Sequence, residues 1–314
     1  MSIIIGKLKS QPIWIFVLIL IAFFSFSSEH FFQLNNFKNI FIQTSTIGLV
    51  ALGLTFVMIN GNIDLSVGSV IALSASLTIG LQDLGFLYSI SIALTAGAFL
   101  GALNGLIVWK TGVDSFIVTL GAMIGIRGLV FIYTEEQSFY AMDFSFSDFG
   151  SGSVMGIPNL AIIFIVFAFI MHFILVKVEH GRNMFAVGGN KITAKNSGVK
   201  VGQHMLLNFI ICGFLAAVAG VTLSSQMGAS TPNLGRDFEL WAITAVVLGG
   251  TKLTGGVGSI IGTLGGVTAI GILRNGMNLL HIPSFYVLVI LGVILIGVIY
   301  MDKAVLQRVE LQRK

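Results

Sequence analysis

"GNIDLSVGS", residues 61–69, lies between two apolar stretches, Gly48 to Ile59 and Val70 to Gly80, and its reading decides the fold. An ionisable side chain at bilayer depth costs about 2.5–3.5 kcal/mol on the insertion scale, so Asp64 does not belong inside a continuous membrane helix. The stretch reads as a break between two helices. Asp64 stands just ahead of Ser66 and Val67, where its carboxylate can cap the amides that open the second helix. A break at membrane depth has to be enclosed by protein or line a cavity, so capping and lining a solute pathway are compatible roles.

The rest of the chain supports a membrane setting. Its 314 residues are 55% hydrophobic and only 10% charged, with a mean hydropathy of +0.97. An average globular chain carries about 25% charged residues. The fold class expected is an all-α polytopic membrane protein, with residues 1–314 forming a single transmembrane domain. Thirty-eight glycines against four prolines fit closely packed membrane helices. The single cysteine, Cys212, excludes an intrachain disulfide and a cysteine-based metal site, and reads as a small buried hydrophobe. The net charge of +4 comes with no basic run interleaved with aromatics, so nucleic-acid binding is not expected.

Apolar runs give about ten transmembrane or broken helices: 12–27, 43–59, 67–81, 86–109, 115–133, 159–176, 205–225, 239–250, 257–273 and 284–301. The runs at 67–81 and 239–250 are too short to cross comfortably and read as half-helices. The first run, preceded by Lys7 and Lys9, reads as an uncleaved span rather than a signal peptide. With ten spans the termini share a side. Placing them inside puts Lys7, Lys9, Lys110, Lys177, Arg182, Lys191, Lys195, Lys200, Lys252, Lys303, Arg308, Arg313 and Lys314 there, against Lys38, Arg236 and Arg274 outside. That asymmetry predicts cytoplasmic termini, a cytoplasmic loop 177–204 and a periplasmic loop 134–158.

An internal repeat is expected from "TFVMINGNIDLSVGSVI" (55–71) and "TAVVLGGTKLTGGVGSII" (244–261), which match at Thr55/Thr244, Val57/Val246, Gly61/Gly250, Gly68/Gly258 and Ser69/Ser259. Paired interrupted segments in two halves of a transporter point to its substrate pathway. The candidate pathway residues are Asn60, Asn62, Asp64 and Ser66 in the first copy, Thr251 and Thr254 in the second, and Glu239 at the start of the short span. Arg127, in "MIGIRGLVF", is expected to pair with a carboxylate or with backbone carbonyls inside the bundle.

No energy source is visible. "GGVGSIIGT" (255–263) lacks the G-K-[ST] ending of a phosphate-binding loop, and there is no G-x-S-x-G elbow or H-E-x-x-H metal motif. The five histidines, His30, His172, His180, His204 and His281, are scattered and read as interfacial or structural. The chain is expected to be no enzyme and to hold no cofactor or metal. In loop 177–204, Asn190 as an N-cap and Gly198 at C′ bracket one short helix, with Gly188 and Gly189 ahead of it as a hinge. That helix is expected to present Ile192, Ala194, Lys195 and Asn196 to a partner.

"GNIDLSVGS", "AVGGNKITAKNSGV" (186–199) and "ELWAITAVVLGGTKLTGGVGSIIGT" (239–263) together resemble the permeases of the ribose, xylose and galactose family of bacterial ABC importers, and the resemblance covers residues 40–302. It implies a subunit in the inner membrane that passes a monosaccharide or related solute. The implied partners are a second permease subunit, identical or not, a cytoplasmic double-cassette ATPase and an external sugar-binding protein. It also implies that the short helix of the inner loop docks on the ATPase. Trp241 departs from the family, which commonly has a small or hydrophobic residue or an aspartate near that point. The residues alone also allow an ion-coupled secondary transporter or a passive channel.

Overall fold

The computed structural model describes residues 12–311 and has thirteen helices among them, with almost no sheet. In chain order the helices are α1 (Ile13–Ser27), α2 (Leu34–Ile59), α3 (Val67–Gly80), α4 (Phe86–Thr111), α5 (Ser115–Thr134), α6 (Phe144–Ser151), α7 (Asn159–Lys177), α8 (Glu179–Gly189), α9 (Lys191–Asn196), α10 (Val201–Met227), α11 (Phe238–Leu248), α12 (Ile260–Leu279) and α13 (Ser284–Leu311). Each of the ten apolar runs became a helix. Six of these, α2, α4, α5, α7, α10 and α12, are long and apolar enough to cross a membrane. Lys7, Lys9, Arg313 and Lys314, which enter the charge argument, lie outside the described residues.

Helices α3 and α11 are short, as their sequences suggest. Their 14 and 11 residues reach about 21 and 16 Å at 1.5 Å per residue, well under the roughly 30 Å of a hydrocarbon core. Sequence signals fix several helix ends. Asp114 accepts from Phe116 N at 2.8 Å to start α5, and α4 and α10 end at Gly112 (φ +71°) and Gly228 (φ +61°), where a left-handed residue stops the helix.

The centre of the bundle is α2, α10 and α12, whereas α4, α5 and α7 bury only one side of themselves. Missing side chains let α10 approach α4. A Cβ on Gly101 would lie 2.2 Å from the Phe209 carbonyl oxygen, and one on Gly213 would lie 2.3 Å from that of Gly97. Where no hydrophobic drive separates helix from lipid, such backbone contact is a main source of helix association.

Both connecting segments are more ordered than the sequence suggests. Loop 134–158 contains α6 and the antiparallel pair Ser153–Val154 with Ile157–Pro158, and its Phe139–Tyr140 pairs antiparallel with Ala229–Ser230 just past α10. Loop 177–204 holds two helices, α8 and α9, where one was expected. The glycine pair expected as a hinge is the last turn of α8.

Candidate translocation and coupling site

The first break, residues 60–66, is sealed by its neighbours. Asp64 Oδ1 accepts from the Ser66 amide at 2.9 Å and from the Ser66 hydroxyl at 2.6 Å, while Ser66 Oγ accepts from Asn104 Nδ2 of α4 at 2.9 Å. The expected cap is thus made to Ser66, inside an Asx turn just ahead of α3. Ile63 N donates to Ser115 Oγ at 3.0 Å, and Ser69 Oγ donates to the Met123 carbonyl at 2.7 Å, so α5 closes the other side. Asn60, Asn62, Asp64 and Ser66 are all buried. Asp64 Oδ2 and Asn60 Nδ2 have no hydrogen-bond partner, and Cys212, fully buried on α10, is a neighbour of the Asp64 carboxylate.

Two half-helices begin close together inside the bundle. A Cβ on Gly68, in the first turn of α3, would lie 2.2 Å from Glu239 Oε2 and 2.6 Å from the Gly235 carbonyl oxygen, so glycine lets Glu239 at the head of α11 reach α3. Glu239 Oε2 is buried without a partner. Arg127 Nη1 donates to the carbonyls of Pro232 at 2.7 Å and Leu234 at 2.9 Å, which pins the segment leading into α11. Arg127 therefore does pair with backbone carbonyls. The two helix N-termini set a positive backbone potential at this buried place, which favours the Glu239 carboxylate itself. Two residues past Glu239, Trp241 lies under the Arg274 guanidinium, its ring centroid 4.9 Å from Arg274 Cζ, beside a cavity of about 190 Å³ that Asn278 also lines.

The second break, residues 249–259, differs in its exposure. Thr251 is buried, Thr254 is exposed, and Gly249, Gly250, Val257, Gly258 and Ser259 line a cavity of about 210 Å³. Its backbone meets the first break directly, because Gly256 N donates to the Ile59 carbonyl at 2.8 Å. Thr55 Oγ1 and Thr263 Oγ1, on the flanking helices α2 and α12, are 2.7 Å apart.

Helix α8 closes this junction. A Cβ on Gly188 would fall 1.9 Å from the Ile59 carbonyl oxygen and 2.4 Å from Gly256 N, and one on Gly255 would fall 2.8 Å from Gly61 Cα and 3.1 Å from Gly188 Cα. The three glycine-bearing stretches of the sequence therefore converge on one backbone-to-backbone contact. Gly189, next along, would meet nothing within 4 Å.

The bracket of α9 is as expected: Asn190 Oδ1 accepts from Thr193 N at 2.9 Å, and Gly198 has φ +85° with its amide on the Lys195 carbonyl at 3.0 Å. The presented face is not. Ile192 is 74% exposed and Lys195 and Asn196 are exposed, but Ala194 is 4% exposed and turned into the chain. A six-residue helix packed on α8 offers one outer strip, and Ala194 falls opposite it. Two of the histidines read as interfacial or structural, scattered in sequence, come together in space. His180 of α8 and His204 of α10 meet with their Nδ1 atoms 2.7 Å apart. Nothing in the 24-residue spacing marks this pair, and Asn104 and Ser115 likewise lack any local signal.

This bundle, with six helices long and apolar enough to cross a membrane, two half-helices, two touching breaks and a two-helix loop seated on them, has the architecture of a multi-pass membrane protein. The chain belongs to the family described as the branched-chain amino acid transport system / permease component, whose profile matches residues 36–299. It is similar to the D-allose transport system permease protein AlsC of Escherichia coli K12, at 37% identity over 95% of this chain and 92% of the relative. It is also similar to the ribose import permease protein RbsC of Bacillus subtilis 168, at 39% over 92% and 90%. The L-arabinose ABC transporter permease protein AraH of Azospirillum brasilense matches at 34% over 91% and 85%. No solved structure matches the chain.

Proposed function

We propose that this chain is the permease subunit of an ATP-driven importer, passing a monosaccharide or sugar-like solute across the inner membrane of a bacterium. It acts as a single transmembrane domain paired with a second permease subunit, identical or not. Its termini and loop 177–204 face the cytoplasm, where a double-cassette ATPase docks, and loop 134–158 faces an external sugar-binding protein. The family's description names amino acids while the three relatives are named for sugars, and cargo does not follow from fold. Sugar is the reading favoured here because those relatives align over nearly the whole chain.

The observation that carries the reading is the junction of Gly188 with Ile59 and Gly256. A partner that moves α8 and α9 moves the backbone of both breaks, so energy spent outside the bilayer reaches the pathway without any nucleotide site in this chain. The two interrupted segments are proposed to work as a repeated pair, with Asn60, Asn62, Asp64, Ser66, Glu239, Thr251 and Thr254 along the route. Gly188, Gly189, Asn190, Ile192, Ala194, Lys195, Asn196 and Gly198 form the coupling segment, Ala194 through its inward packing.

Vesicles carrying the assembled importer test this with labelled ribose, allose and arabinose. Uptake should require ATP and the binding protein and should survive an ionophore. Uptake abolished by the ionophore with ATP present would establish ion coupling instead, and uptake without ATP or gradient a channel.

A further inference from the structure

We propose that His180 and His204 form a proton-sensitive latch that positions the coupling helices on the core helix α10, holding transport coupled to ATP hydrolysis while both rings are neutral and releasing it when either gains a proton. The proposal rests on the docking reading of loop 177–204 given above.

The hydrogen bonds allow one proton arrangement. His180 Nε2 lies 2.7 Å from Asn208 Oδ1, an acceptor, so Nε2 carries the proton and Nδ1 is bare. That bare nitrogen faces His204 Nδ1 at 2.7 Å, which must therefore be the donor. His204 Nε2 is then bare, and it accepts from Asn183 Nδ2 at 3.1 Å, whose amide also donates to Glu179 Oε1 at 3.3 Å. Every nitrogen of the two rings is used, and α8 is tied to α10 by three hydrogen bonds, two from His180 and one from Asn183. A proton added at His180 Nδ1 would set two donors against each other at 2.7 Å. One added at His204 Nε2 would set an N–H against the Asn183 amide. Either one opens the chain of bonds.

The surroundings favour the neutral state and still admit protons. The Phe56 ring of α2 lies against His180 at 6.4 Å between centroids. Burial holds the His180 imidazole below its ordinary range; the bond to Asn208 opposes that shift and His204 adds to it. On one side an open cavity of about 500 Å³ is lined by Glu179, Asn183, Lys200, Gln203 and both histidines, giving solvent a route to the pair. The other ionisable groups on the elements packed against α8 are Lys38 of α2, His172 and Lys177 of α7, Arg182 of α8, Lys191 and Lys195 of α9 and Cys212 of α10, and among them all only Glu179 is a carboxylic acid. Since the closed latch has a lowered pKa, it is fully favoured above the ordinary imidazole value of about 6.5 and loses ground as pH falls from there through the lowered value. Helix α8 carries Gly188, so release of the latch frees the contact on Ile59 and Gly256.

The test uses the complete importer in vesicles with the loop side at pH 8 and at pH 6, reading sugar transported per ATP hydrolysed. The ratio should fall severalfold at the lower pH in the wild type and stay level in H180Q/H204Q, whose amides hydrogen-bond without titrating. An equal fall in that variant, or a level ratio in the wild type, overturns the proposal. Against misfolding of the variant, hydrogen exchange of residues 178–190 is measured on the wild-type chain in lipid nanodiscs at both pH values, corrected for intrinsic rates. Protection that does not drop at pH 6 also overturns it. This readout needs no ATPase, so it separates failure of the latch from failure of the docking reading, which the Ile192 variant argued below tests on its own.

Discussion

The Asp64 carboxylate uses one oxygen, which accepts from both the amide and the hydroxyl of Ser66, and an asparagine can supply the same oxygen. Asp64→Asn should therefore keep most uptake. Asp64→Leu leaves the Ser66 amide buried without an acceptor, a loss of about 1–3 kcal/mol, and should lower the thermal midpoint and the yield of assembled importer. An asparagine variant that assembles normally but transports nothing would show that the charge itself acts on the solute. The Asp64 site was open to inference because its acid, its small neighbours and its place between apolar runs lie within nine residues. Its partners Asn104 and Ser115 were not, since they arrive from other helices through packing that no local pattern encodes.

At the scale of elements, hydrophobic length gave the spans and their shortness gave the half-helices α3 and α11. The junction of α8 with the two breaks was hidden, because it joins residues 59, 188 and 256 by backbone contact and depends on what glycine lacks. Adjacent glycines make the contact testable. Gly188→Ala puts a methyl group 1.9 Å from the Ile59 carbonyl oxygen, whereas Gly189→Ala meets open space. Overpacking of this kind costs about 1–3 kcal/mol. Gly188→Ala should impair uptake strongly while Gly189→Ala stays near wild type, measured in the same vesicles. Equal behaviour of the two would remove the junction from the transport path. Helix α9 makes a second contrast. Ile192→Glu alters an exposed side chain and should abolish sugar-stimulated ATP hydrolysis in a chain that still folds, because in the proposed docking Ile192 is the apolar side chain that would be buried against the ATPase. Ala194→Glu forces a charge into the packed side of α9 and should instead destabilise the loop, seen as faster proteolysis there. Two turns of helix carry too little pattern to tell these two faces apart, which is why both residues looked alike in sequence.

For the whole molecule, the positive-inside asymmetry supports the proposed sides: thirteen basic residues fall on the proposed inner face and its tails, and three on the proposed outer face. The fold makes that assignment open to direct measurement, because the two faces carry well-exposed reporter positions. Ile192 is 74% exposed on α9, and Met155 is 99% exposed between the paired strands Ser153–Val154 and Ile157–Pro158. The native Cys212 is buried completely, so it should stay silent to a membrane-impermeant thiol reagent, and Cys212→Ser removes it as a source of background. In that background Met155→Cys should react from outside intact cells, while Ile192→Cys should react only after the inner face is opened. The opposite pattern would invert the topology, moving the proposed ATPase surface away from the cytoplasm and ending the docking role of loop 177–204. Labelling from one side at both positions would place α7, the helix that separates them in sequence, outside the set of true spans. With its 19 residues and its mean hydropathy of 2.7, α7 has the length and composition to cross, so the two reporters should fall on opposite sides.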